Sequence, residues 1–97
     1  MTLPTELQAY RRTAEFTEAT VPPALLNAHT TKDGTWALIH VLEGRLRYRI
    51  EDPRRAASEA ILTPETAPGV VEPTILHAVE PLGAVRFFVE FYRRDPG

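Results

Sequence analysis

The sequence contains no cysteine among its 97 residues. Disulfides, thiolate metal sites and cysteine nucleophiles are thereby excluded. Neither sign of charge is in large excess: 11 basic and 13 acidic side chains leave a net charge of −2. No strong field exists to draw in nucleic acid or an anionic membrane surface, and neither is expected as a partner. Met1-Thr2-Leu3-Pro4 lacks the basic head and apolar stretch of a secretory leader. No apolar run approaches the ~20 residues of a membrane-spanning helix. A soluble, cytoplasmic protein is expected. Glycine-rich phosphate loops and the G-x-S-x-G elbow are missing as well, which removes the nucleotide-binding and hydrolase motifs that depend on them. Helical patterning is scarce: only Leu7 to Glu18 and Arg54 to Ala60 could hold a turn or two, and neither carries an apolar stripe.

Nine prolines and five glycines, by contrast, punctuate the chain at short intervals. The segments between them are rich in Val, Ile, Leu, Phe and Tyr. Many short strands with regular turn signals predict an all-β sandwich or barrel in one domain spanning 1–97. Thr35 to Leu42 is apolar on both faces, with Ala37, Ile39 and Val41 on one and Trp36, Leu38, His40 and Leu42 on the other. Glu43-Gly44 reads as a turn. Leu46, Tyr48 and Ile50 then alternate with Arg45, Arg47 and Arg49, the pattern of a half-buried strand. Ser58 to Thr63 and Gly69 to Glu72 are short strand candidates. Ile75, His77 and Val79 share one face of another. Ala84 to Tyr92 is the last long strand, with Val85, Phe87, Val89 and Phe91 on one face and Arg86, Phe88, Glu90 and Tyr92 on the other. Arg93 to Gly97 reads as a frayed tail.

Two stretches carry a family resemblance. Val41-Leu42-Glu43-Gly44-Arg45-Leu46 resembles the first hairpin of cupins, and Pro73-Thr74-Ile75-Leu76-His77 resembles part of their second motif. Fragments along nearly the whole chain, among them Tyr10-Arg11-Arg12-Thr13, His29 to Trp36 and Phe87-Phe88-Val89-Glu90-Phe91, are similar to the YeaR/TehB-like small cupins associated with tellurite resistance. The resemblance implies a double-stranded β-helix, a jelly-roll barrel, often dimeric, whose mouth can hold a metal. The usual cupin ligand set is incomplete. With Gly44 as anchor, Ala37 stands where the first motif has glutamate, and Thr30 to Asp33 stand where it has histidines.

His77 is the strongest candidate, because it shares the inward Ile75/Val79 face and fits the second motif. A histidine on such a face needs a partner for each ring nitrogen, and a core histidine bonded to a carbonyl or water is the plainer alternative. His29 precedes Gly34 in the stretch that supplies first-motif ligands, and could meet His77 across the barrel mouth. Glu90 would complete a His/His/carboxylate set, although its strand face favours an outward position. Glu72 is a further carboxylate at an expected bend. His40 is placed outward, near a subunit contact. The expectation is thus a divalent metal ion (Zn, Fe, Cu or Ni) on His29, His77 and Glu90, in a homodimer whose interface includes Trp36 or His40. The alternative is a metal-free small-molecule-binding, structural or regulatory module. The chain ends at Gly97 directly after the last strand, with no glycine-rich turn for a methyl donor, so S-adenosylmethionine binding is not expected.

Overall fold

The structure, a computed structural model, describes residues 3–94. Among these residues six strands form: β1 (Leu7–Arg12), β2 (Phe16–Thr17), β3 (Trp36–Ile50), β4 (Ser58–Leu62), β5 (Gly69–Val71) and β6 (His77–Arg94). A 3-10 turn, Pro23–Leu26, lies between β2 and β3. It begins at the Pro22-Pro23 pair, whose fixed φ suits a first helical turn. The two longer helical candidates are corrected. Leu7 to Glu18 lies along β6 as β1 and β2, and Arg54 to Ala60 becomes a bend leading into β4. Without an apolar stripe neither segment gains from coiling, and a sheet edge offers backbone partners. Arg93 and Arg94 extend β6, and the rest of the expected tail lies outside the described residues. Among the described residues no helix is long and apolar enough to cross a membrane.

All pairing is antiparallel, in the order β1-β6-β3-β4, with β2 added to β6 and β5 added to β3. The frame is the β3–β6 ribbon, which runs from Trp36 opposite Tyr92 to Ile50 opposite His77. Glu43-Gly44, Pro81 and Gly83 were expected to end strands. Instead both strands pass through them and bend together. Arg45 alone faces Leu82, Gly83 and Ala84, because Gly44 pairs with Val85 and Leu46 with Pro81. Such a bulge bends and twists a ribbon without reversing it. Gly44 adopts φ +79°, and a Cβ there would sit 2.0 Å from the Ala84 carbonyl oxygen. The Val85 N–H beside the bulge donates to Glu18 Oε1 at 3.0 Å.

The bend folds the ribbon over itself. Tyr48, beyond the corner, donates its hydroxyl to the Val70 carbonyl at 2.8 Å, on the strand that pairs with the other half of β3. Gly69 makes room for this meeting, since a Cβ there would lie 2.8 Å from Leu62 and 3.2 Å from the Tyr48 ring. Between the halves lies the core: Ala37, Ile39, Val41, Leu46, Val79, Val85 and Phe87 are all buried. The alternation read from the sequence therefore holds on both long strands. The closed barrel does not: among the described residues β1 and β4 each pair on one side only, and the sheet stays open.

A second corner follows β3. Asp52 is buried, and its carboxylate accepts from the backbone N–H of Arg54 at 2.8 Å and of Leu76 at 3.0 Å. Arg54 donates to both carboxylate oxygens, at 2.9 and 2.7 Å, and reaches on to the Thr74 carbonyl at 2.6 Å. Thr74 is held at φ +64°, a left-handed conformation uncommon outside glycine. The Arg54 guanidinium and the two backbone donors hold the Asp52 carboxyl far below the usual carboxylate range. This knot ties the end of β3 to the loop that leads into His77.

Two outcomes follow for urea unfolding. Gly83→Ala, at φ +87° with open space around it, should lose about 1–2 kcal/mol from conformation alone. Gly44→Ala should lose at least about twice that, because backbone must also give way; equal losses would mean that the close approach to Ala84 does not matter. For Asp52 the folded pKa is depressed, so its contribution is complete above the unfolded carboxylate pKa near ~3.9 and is lost as pH falls. Asp52→Asn should lower the melting temperature at neutral pH and flatten the fall in stability below about pH 4. An unchanged acid limb in that variant would refute this role.

Candidate functional site

The inner face of the folded ribbon does not fill completely. A cavity of about 230 Å³ remains between β3, β6 and the 3-10 turn. Its walls are aliphatic and aromatic: Ile39 from β3 and Val71 from β5, Phe87 and Phe91 from β6, and Phe16 and Leu25 from the segment before β3. Phe16 meets Phe87 edge to face at 5.6 Å, which braces the short β2 against the core. The polar side chains in the lining are Thr13, Thr31, His29 and His77, and none carries a fixed charge.

The histidines come together as the sequence suggested. His29 and His77 form an isolated antiparallel bridge, each N–H donating to the other's carbonyl at 2.8 and 2.9 Å. Their rings lie edge to face with centroids 5.4 Å apart. Tyr48 adds a third ring 6.0 Å from His77. His77 is 5% exposed, and its Nδ1 lies 3.1 Å from the Ile75 carbonyl oxygen. Burial holds the His77 pKa below the ordinary histidine value, and the neighbouring His29 adds to that, while the Ile75 carbonyl opposes it. Burial thus favours the neutral form of the ring. The two hydroxyls are already committed: Thr31 donates to the Thr35 carbonyl at 2.7 Å, and Thr13 donates to Ala14 at 2.8 Å.

Glu90 is not at this site. Strand alternation puts it on the outer face, where it accepts from Tyr92 Oη at 2.7 Å and pairs with His40 Nε2 at 3.1 Å. These donors lower the Glu90 pKa, with Tyr92 the stronger cause, and the Tyr92 hydroxyl is pushed up to about 12. His40 stacks on Phe88 at 4.8 Å, on the outward face expected for it. Glu72 is spoken for by Arg55. The expected His29/His77/Glu90 metal set is thus split across two faces of one sheet. Among the described residues no group of three or more His, Asp or Glu side chains is placed to hold a metal ion.

The cavity residues missed from the sequence are those before β3: Thr13, Phe16, Pro22 and Leu25. The available signal was a set of isolated apolar residues in a polar stretch. Its period matched neither strand nor helix, because β2 and the 3-10 turn are too short to show one.

Comparison with known proteins identifies the relatives. Residues 11–89 match the TehB-like domain family. The chain is 36% identical over 78 residues to the probable S-adenosyl-L-methionine-dependent methyltransferase TehB of Haemophilus influenzae strain Rd, and 35% identical to that of strain 10810. Each alignment covers 79% of this chain and 27% of the relative, so the chain spans about a quarter of their length. The crystal structure of TehB from Haemophilus influenzae superposes with a TM-score of 0.84 at 32% identity, over 93% of this chain and 32% of that one. A crystal structure of an Escherichia coli K12 protein shares the fold at TM-score 0.84 and 19% identity, over 98% of both chains. These findings overturn the metal-binding cupin expected from the sequence. The relatives' name carries S-adenosyl-L-methionine rather than a divalent metal, the cavity lacks a carboxylate, and the cupin label finds no support in the family match. Of the resemblance read from the sequence, its TehB-like part stands, and the chain belongs to the TehB-like domain family.

Proposed function

We propose that this chain serves S-adenosylmethionine-dependent methyl transfer on the acceptor side, holding a small acceptor or its methylated product in the cavity between His77 and Phe87. The observation that carries this reading is the cavity itself, largely apolar, open to one side and about 230 Å³. That size falls below the ~300–1,000 Å³ typical of sites for drug-sized ligands.

The methyl donor named for the relatives does not fit these walls. Its sulfonium and amino-acid charges would be stripped of water against aliphatic side chains, with no carboxylate or guanidinium in the lining to meet them. Its ribose would find no acidic partner. A small uncharged molecule meets none of these penalties.

A twofold assembly belongs to the same reading. Trp36, Leu38 and Leu42 of β3 stand with Phe88 of β6 on the outer face, half-buried and turned away from the core. An apolar stripe of this kind is commonly covered by a second copy around a closed axis. Light scattering should give a homodimer at micromolar concentration, and Trp36→Glu with Phe88→Glu should give a folded monomer. A monomeric parent protein would count against the assembly.

Thermal unfolding and calorimetry test the acceptor-side role. Toluene near 100 times its Kd should stabilise the protein by about 2.7 kcal/mol. Leu25→Trp, which places an indole in the cavity, should abolish that gain while leaving the circular dichroism unchanged. S-adenosylmethionine should give no stoichiometric heat. Stoichiometric donor binding that disappears in Leu25→Trp would put the donor in the cavity and end this proposal.

A further inference from the structure

We propose that the cavity selects neutral molecules with an apolar body and one hydrogen-bond donor, and turns away anions. The inference rests on the reading of the cavity as a ligand site and adds the class of ligand. It starts from the Ile75 carbonyl. A carbonyl oxygen only accepts, so the His77 Nδ1 that lies 3.1 Å from it must carry the proton and donate. In a neutral imidazole the other nitrogen, Nε2, is then a bare acceptor. No protein donor meets that atom among the described residues.

Of the other polar groups in the lining, the His29 ring alone keeps an N–H without a partner among the described residues, and one such donor does not replace the hydration an anion loses. Thr13 and Thr31 have spent their protons on backbone carbonyls, and Tyr48 has spent its own on Val70. The groups packed around His77 are His29 from the preceding segment and Tyr48 from β3, with Glu72 beyond Tyr48. Burial, then Glu72, keeps the Tyr48 phenol protonated far above neutral pH. Arg11 and Lys32 lie outside, along a shallower groove that shares only a wall with the cavity through His29, Thr31 and Phe91. A donor on the ligand would satisfy Nε2. A purely apolar ligand would leave it unpaired and buried. An anion would set lone pair against lone pair without water.

The test uses three probes of similar size at pH 7.5: phenol, toluene and benzoate. A dry apolar cavity smaller than this one is known to admit benzene, so an aromatic ring can enter. NMR titration should show phenol binding about three- to tenfold more tightly than toluene, the range for one net hydrogen bond. Benzoate should show no saturable binding. His77→Phe should leave toluene affinity in place and bring phenol down to it. In the unmodified protein, long-range nitrogen–proton correlation should show His77 protonated at Nδ1 and bare at Nε2. Equal affinity for phenol and toluene, tight benzoate binding, or a protonated Nε2 would each overturn the selectivity while the ligand site stands. Failure of both phenol and toluene to bind would remove the ligand site, and the proposed function with it.

Discussion

The fold depends on one close approach, that of the Gly44 backbone to the Ala84 carbonyl. β3 and β6 are long strands, of 15 and 18 residues, and unbent they would form an extended ribbon with one apolar face in water. Letting Arg45 face three residues of β6 makes the ribbon turn on itself. The apolar face of one half then covers that of the other, and Tyr48 can reach Val70. The cavity, the histidine pair and the packing of Phe16 and Leu25 against the ribbon all depend on that bend. A side chain at position 44 would press on backbone, which cannot swing aside as a flexible side chain can.

Within the folded ribbon the partition of chemistry follows from strand period. Side chains alternate, so neighbours on β6 serve opposite faces. Phe87, Val89 and Phe91 line the cavity, while Phe88, Glu90 and Tyr92 face away. The carboxylate that would have made a metal triad is therefore a full sheet thickness from the imidazoles. It is held there by two donors of its own. What remains inside is an uncharged cavity with an imidazole whose tautomer is set by Ile75. Such a site favours molecules that lose little on leaving water.

The Asp52 knot explains how an irregular loop can present His77 consistently. The loop from Glu72 to Leu76 has few partners of its own in the sheet. Its backbone is held instead by the Asp52 carboxylate, the Arg54 guanidinium and two backbone bonds, from Thr74 N–H to the Thr31 carbonyl and from Glu51 N–H to the Leu76 carbonyl, and the His29 bridge fixes His77 directly after it. Nothing local in the sequence singles Asp52 out. An Asp-Pro pair followed by two arginines reads as an exposed turn, whereas Asp52 is 3% exposed and bonds across 24 residues to Leu76.

Alternation and punctuation determined the all-β class, the inward rows of Ala37, Ile39 and Val41 and of Val85 and Phe87 and the outward place of His40, and the family resemblance suggested the meeting of His29 with His77. Those features depend on period-two patterning or short-range motif, both of which are written along the chain. Tertiary structure decided the rest. Whether Glu43-Gly44 reverses β3 or bends it depends on what lies across the strand at Ala84. Whether the sheet closes depends on what β1 and β4 meet at their free edges. Whether Glu90 joins the histidines depends on the phase of β6 against β3. Which nitrogen of His77 carries the proton depends on a single carbonyl two residues before it, in the peptide unit whose N–H bonds to Asp52. Each is a relation between distant segments, and periodicity within one segment carries no information about its partner.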